Sequence, residues 1–452
     1  MIIGRISSSE YNGMVSRPNT GITEAAILRK LGTFERALFL SDRHSPFNVV
    51  TVLRLEHAPV PELIYDALGL LQKRHPLLQA GIRAWQFERL SMPSFSFQVV
   101  EKQEETSWLD IVGQEMNTRL NPERGLFRAT YVYNFPHGEL FLTFHHVIMD
   151  AVSGMKLMDE LLQICATKNS QVDELMPLPT LNLIPPVEEQ FPASFQGLSG
   201  FMKLTRYAFA QGSDEIRFQW RMRGKRTPPV HLGGRGFPLT LILPETLVDR
   251  LSKRCRVEKV TLNSLLNASI LLAANRRLYA GVVLSMRTFS FADLRPYTVP
   301  STPAEHLANY ISMLRFTMEV SGGRDIWELT RDLHDKIYRA LKQGDKFLAS
   351  RMSESLIKMF VGMKSMRMGA TALNYSGAVP LQTQYGEINV KGLHAFLSSF
   401  NLGPEVSVQA RLFNNELWMD FMFLETDMEK EMAKKIVEEV RAILEAAVSG
   451  NI

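Results

Sequence analysis

Residues 139–162 read ELFLTFHHVIMDAVSGMKLMDELL. Leu140 to Phe144 form a strand-like apolar run. From Met155 onward the apolar residues Met155, Met158, Leu161 and Leu162 recur at helical spacing. A strand therefore ends in His145 and His146, and a helix begins just past Asp150. Three polar side chains between two buried-type segments need partners, because an unpaired buried polar group is costly. Asp is a favoured helix cap, so the plainest reading has Asp150 capping a helix from Ala151 and both histidines satisfied in the core or turn. A metal site is a second reading, but zinc needs three or four clustered ligands, and the other histidines are scattered without ligand spacing. No metal is expected. General-base catalysis is the third. A neutral imidazole takes a proton from a hydroxyl or amine near neutral pH, and a buried aspartate beside it then needs its own cation.

Working outward, GLFRATYVYN and ELFLTFHHV, separated by residues 135–138, predict a hairpin. VVTVLRLE from Val49 alternates as a strand. The helix after Pro59 carries Leu63, Ala67, Leu70 and Leu71 on one face and stops at His75-Pro76. Residues 176–192, MPLPTLNLIPPVEEQFP, are proline-rich and predict a linker. Beyond it come a basic stretch (IRFQWRMRGKRTPP), a strand (FPLTLILP), helices from about Glu245 to Tyr279, and a strand in VVLSMRTFSFADLRP. A strand closes AEHLANYISMLRFTMEV, and helices dominate 326–368. A strand pair then turns on Asn414-Asn415, and a final helix starts near Met428 with Met432, Ile436, Val440 and Leu444 on one face. The expected organisation is a mobile polar segment over 1–24, a first lobe over 25–175, a crossover linker over 176–200 and a second lobe over 201–452. Alternating strands and helices make both lobes mixed α/β.

The chain has 452 residues, 45% hydrophobic and 22% charged, the balance of a soluble globular protein. A net charge of +4 is too mild to argue for nucleic acid. Two cysteines, Cys165 and Cys255, predict no disulfide framework and suit a reducing compartment. The N-terminus has no apolar core of signal-peptide length. The apolar region from Leu265 is interrupted by Asn275, Arg276 and Arg277, so it predicts a buried helix and not a membrane span. A cytoplasmic monomer is expected.

HHVIMDA resembles the His-His-x-x-x-Asp-Gly motif of the CoA-dependent acyltransferase superfamily, which includes chloramphenicol acetyltransferase, BAHD acyltransferases, condensation domains and polyketide-associated acyltransferases. Other segments agree in order: IYDALGLLQKRHPLLQAGI from Ile64, FADLRPYTVPSTPAEHLANYISML from Phe291, then ALNYSGAVPL and LFNNELWMDFMF. The last two resemble the phthiocerol dimycocerosyl transferase-like branch. The resemblance covers roughly residues 25–445. It implies two chloramphenicol-acetyltransferase-like lobes in a pseudo-dimer, with a tunnel in which donor and acceptor meet. It further implies that His146 is the general base, that His145 is structural, that Asp150 is structural and pairs with Arg295, and that Asn309 lines the tunnel near the base as a possible oxyanion contact. The motif's glycine is Ala151 here, a departure that adds a methyl group at the turn. The implied activity is direct acyl transfer from acyl-CoA or an acyl carrier protein of a polyketide synthase to a hydroxyl of a small alcohol, lipid or polyketide. CoA or phosphopantetheine thioester serves as co-substrate, with no other cofactor. Amide formation on an amine, and a non-catalytic carrier-binding module, stand as alternatives. The basic cluster Arg217, Arg221, Arg223, Lys225 and Arg226 is a candidate donor-binding patch, set against its reading as a solvated linker edge.

Overall fold

The structure, a computed structural model, describes residues 27–101, 107–169, 178–225, 233–363, 367–398 and 402–449. The polar segment 1–24, the start of the linker at Met176 and Pro177, and Arg226 lie outside the described residues.

The run that ends in the paired histidines forms β7 (His137–His145), which is buried along almost its whole length. It lies inside a six-stranded sheet, between β2 (Asn48–Glu56) and β6 (Phe127–Asn134). Both faces are covered, so the strand is apolar throughout instead of alternating. The hairpin turn is Phe135-Pro136 alone; His137 and Gly138 already pair with Asn134 and Tyr133. On the other side, Asn48 is opposite His145 in antiparallel register. β5 (Ser96–Glu101) closes one edge of this sheet.

The other edge comes from the far end of the chain. β13 (Ile388–Leu397) pairs antiparallel with β2, and the two-residue β12 (Gln384–Tyr385) flanks it. Ile388, Val390 and Leu393 join the core of the first lobe. A division that assigns all of 201–452 to the second lobe thus misses this crossing. Buried hydrophobic alternation says that NVKGLHAFL needs a sheet; it does not say which one.

The second sheet runs β10 (Ile311–Val320), β9 (Leu284–Asp293), β11 (Thr371–Ala378), β14 (Val406–Phe413), β15 (Glu416–Leu424) and β8 (Gly236–Leu243). The β14–β15 turn places Asn414 and Asn415 at φ +52° and +62°, the left-handed pair that Asn tolerates in a tight hairpin. β1 (Ile27–Lys30), β4 (Gln86–Arg89) and β3 (Ala80–Arg83) make a small third sheet.

The helices cover these sheets. α1 (Thr33–His44), α2 (Pro61–Arg74), α3 (Trp108–Asn117) and α4 (Ala151–Asn169) belong to the N-terminal half. α5 (Gly197–Met222) follows the linker. α6 (Glu245–Val257), α7 (Leu262–Leu278), α8 (Ile326–Gln343), α9 (Asp345–Gly362) and α10 (Lys430–Ala446) complete the C-terminal half. α7 is buried continuously from Ser264 to Asn275. Among the described residues no helix is long and apolar enough to cross a membrane.

The described part of the proline-rich segment is tied down at both ends. Leu181 N–H donates to the Arg74 carbonyl at 2.9 Å. Glu188 accepts from Phe34 N–H at 2.7 Å. Gln190 bonds to the Tyr310 hydroxyl and accepts from Thr302.

Candidate active site

The end of β7 and the start of α4 come from the first lobe; the end of β9 and the start of β10 come from the second. They meet at His146. β7 ends on His145, and one turn of 3-10 helix over His146–Ile148 carries His146 and leads to α4. His146 N–H donates to the Phe47 carbonyl at 3.1 Å, and the Phe47 ring lies 5.2 Å from the imidazole.

The two histidines are engaged differently. His145 is fully buried. Its Nδ1 accepts from Val147 N–H at 3.2 Å, so it helps to shape the turn. His146 Nδ1 stands 2.9 Å from the Met149 carbonyl. A carbonyl only accepts, so Nδ1 carries the hydrogen, and Nε2 is the basic nitrogen. Nε2 has no hydrogen-bond partner among the described residues. Burial pulls the His146 pKa down to about 4, against the opposing pull of the Met149 carbonyl and the Asp150 charge. At neutral pH the ring is neutral.

Asp150 is 1% exposed and accepts four hydrogen bonds. Its Oδ1 receives Ser153 N–H at 2.9 Å and an Arg295 Nη2–H at 3.1 Å. Its Oδ2 receives an Arg295 Nη1–H at 2.7 Å and Tyr310 N–H at 2.8 Å. The bond to Ser153, third residue of α4, makes Asp150 a helix cap; the bidentate bond makes it an ion-pair partner. One side chain therefore satisfies both readings of the motif. Burial pushes its pKa up, but Arg295 and the two backbone amides outweigh burial and hold the carboxyl below its ordinary value. Arg295 is likewise held above its ordinary value by Asp150 and Asp293 despite burial.

Asn309 comes from the loop before β10. Its Nδ2 donates to the carbonyls of His146 at 2.8 Å and Met149 at 3.3 Å. With its donors spent there, the amide is a brace on the turn that carries His146; the free oxyanion donor that the resemblance suggests is not presented in this arrangement. Ala151 is the first residue of α4 and does not adopt positive φ. The backbone at that position therefore does not require glycine.

Four participants escaped the sequence reading. Ser153 Oγ accepts from Arg295 Nη2 at 2.7 Å and from Ala308 N–H at 3.2 Å. Asp293 accepts from Arg295 N–H at 3.0 Å. Tyr310 supplies both its amide and a ring 5.3 Å from the Arg295 guanidinium. Met149 orients the imidazole through its carbonyl. The Asp-x-x-Ser spacing at the helix start and the Asp-x-Arg spacing at 293–295 were available signals; a backbone carbonyl leaves none.

Of the basic cluster, Lys225 is held away from this site. Lys225 Nζ donates to the Val283 carbonyl at 2.9 Å, at the start of β9, whereas Arg295 follows its end. Ten residues of strand separate the two places by roughly 30 Å.

Residues 240–399, which hold Arg295 and Asn309, match the family described as phthiocerol/phthiodiolone dimycocerosyl transferase C-terminus. The fold is shared with polyketide synthase associated protein 5 from Mycobacterium tuberculosis (TM-score 0.68, 18% identity, 94% of this chain and 99% of that one). It is also shared with a trichothecene 15-O-acetyltransferase from Fusarium sporotrichioides (0.73, 12%, 93% and 94%). The condensation domain of the monacolin K polyketide synthase is similar too (0.62, 12%, 94% and 97%). Over nearly its whole length the chain shares the fold of these acyltransferase and condensation-domain structures, and the family match covers residues 240–399. Compared with curated proteins by sequence, it matches none of them. Within this shared fold, the junction around His146 draws on both lobes. The motif from 145 to 151 lies outside the matched residues 240–399, while its partners Arg295 and Asn309 lie inside them.

Proposed function

We propose that this chain is an acyltransferase that moves an acyl group from a CoA or carrier-protein thioester to a hydroxyl, with His146 as general base. The observation that carries this reading is the state of one ring. Nδ1 of His146 is spent on the Met149 carbonyl, and Nε2 is left basic and, among the described residues, unpaired at the meeting of the two lobes.

In the proposed reaction an acceptor hydroxyl gives its proton to Nε2 as its oxygen attacks the thioester carbonyl. The tetrahedral oxyanion collapses, the carbon–sulfur bond breaks, and the thiolate leaves. The imidazolium then returns the proton to the thiolate. Asp150 does not touch the ring in this scheme. With Arg295, Ser153 and Tyr310 it fixes the turn that aims Nε2, and small misplacements of a catalytic group cost large factors in rate. An acyl-enzyme on cysteine finds no support: Cys165 and Cys255 are both buried, and burial pushes the Cys255 thiol up to about 12. The acyltransferases among its structural relatives and the polyketide-associated family match support the reaction class.

The test is thiol release from a panel of acyl-CoA and acyl-carrier-protein thioesters, offered with alcohols and with amines, and the product read by mass spectrometry. An ester supports the proposal. An amide transfers the same base to condensation chemistry. No thiol release with any pair would leave a binding module.

A further inference from the structure

α5 is turned inside out. It is a 26-residue helix, about 39 Å long, and only Gly200 along it is buried. Its carboxylates face the protein. Asp214 bonds to Arg287 and Thr317, and Glu215 to Arg287 and Arg315; the Phe218 ring lies 3.7 Å from the Arg287 guanidinium. These are its only two carboxylates. Its large apolar side chains face outward: Leu198 75% exposed, Phe201 61%, Met202 58%, Phe209 80%, Ile216 72% and Trp220 75%.

The spacing is regular. Met202, Phe209 and Ile216 are seven residues apart, and Leu198 and Trp220 extend the row by four at each end. At 3.6 residues per turn these five fall in one narrow stripe nearly the length of the helix. Arg206, Arg217 and Arg221, all exposed, fall along one flank of that stripe. Lys225, three residues past the helix, donates to the Val283 carbonyl, so the exposed Val282 (53%) and Val283 (55%) lie near the C-terminal end of α5. Exposed apolar residues scattered singly need no explanation; a straight row of Phe, Ile, Trp, Leu and Met does.

We propose that α5 is a membrane-surface helix, lying flat on an anionic lipid leaflet with this stripe among the acyl chains and its arginines on the headgroups. Two observations favour lipid over a protein partner. The row is straight and shallow, as a plane requires, and the outward face has cations without anions, because both carboxylates are consumed inside. That is the composition of an interfacial helix, and the arginines complement a leaflet's negative surface.

The experiment uses the full chain and vesicles of phosphatidylcholine, alone or mixed with phosphatidylglycerol. Sedimentation with the mixed vesicles and release by high salt are expected. Trp220 should be quenched by brominated lipid, and Trp220→Phe should abolish that signal without altering the rest of the protein. Arg217→Glu with Arg221→Glu should weaken partitioning by roughly five-fold per cation removed, before counting repulsion. Phe209→Ser with Ile216→Ser should abolish it, with an unchanged melting curve because neither side chain packs against the protein. Failure to sediment with the mixed vesicles, or absence of Trp220 quenching, overturns the proposal. So does lipid-free dimerisation that disappears in the Phe209/Ile216 variant, which gives the stripe to a second copy. Capture of an acyl carrier protein by the same side chains, without vesicle binding, overturns it in favour of a protein partner.

Discussion

Replacing Asp150 by Asn isolates the charge from the cap. Asn caps helices as well as Asp does, so the bond from Ser153 N–H survives the change. What goes is the bidentate carboxylate opposite Arg295, whose Nη1 and Nη2 lie 2.7 and 3.1 Å from the two oxygens. The new amide turns a donor toward a donor. Arg295 is 3% exposed and keeps only weaker partners, chiefly Ser153 and Asp293. Breaking one side of such a buried pair costs about 3–5 kcal/mol, because the survivor stays charged out of water. Arg295→Ala leaves Asp150 with two backbone amides and no cation, and should cost a similar amount. The double variant removes a charge already orphaned, so the two costs should not add; a coupling energy of about 2 kcal/mol or more is expected. Urea unfolding of the four proteins, followed by circular dichroism, measures the cycle. Asp150→Ala should cost about 1 kcal/mol beyond Asp150→Asn, for the lost cap. Costs that add to within about 0.5 kcal/mol would refute the pairing as an energetic unit.

Four further outcomes follow from the same geometry. His146 is depressed to about 4 by burial, below its ordinary 6.5, so its neutral form should support turnover with a flat profile above about pH 5. Turnover should fall as pH drops through about 4, and stability should decline between about 6.5 and 4, because there the unfolded chain binds a proton that the fold refuses; pH–rate profiles and unfolding at stepped pH read both. Asp150, held low by Arg295, adds stability that is complete above the ordinary carboxyl pKa of about 4 and is lost at still lower pH. Asn309→Ala should lower kcat by about ten-fold or more with little change in KM, because it frees the carbonyls of His146 and Met149 without removing the base; steady-state kinetics decides. Ala151→Gly should leave activity unchanged and cost about 0.5–1 kcal/mol on urea unfolding, since the position is helical.

Much of this site was legible in residues 139–162 because the hydrophobic period changes from strand to helix across the motif. That placed His146 at a strand end and Asp150 at a helix start before any contact was known. Arg295 and Asn309, more than a hundred residues away, carry no local mark of their partners, and only the family resemblance linked them to Asp150 and His146. Nothing in the chain's periodicity identified β13 as a strand of the first sheet, since pairing with β2 across more than 300 residues is decided by the completed core. α5 was obscured for a different reason. Its apolar stripe faces outward, so the stretch around Trp220 looked like a basic linker edge, and the inward-facing Asp214 and Glu215 have no meaning until Arg287 and Arg315 are beside them.

The central claim is that Nε2 of His146 takes the acceptor's proton. Its most direct measurement is single-turnover thiol release by His146→Ala against the unaltered chain, with the best donor and acceptor pair and matched melting curves. A general base contributes about 10²–10⁴-fold, so release should fall by at least about a hundred-fold while the fold persists. Release within a few-fold of the unaltered chain would contradict the account.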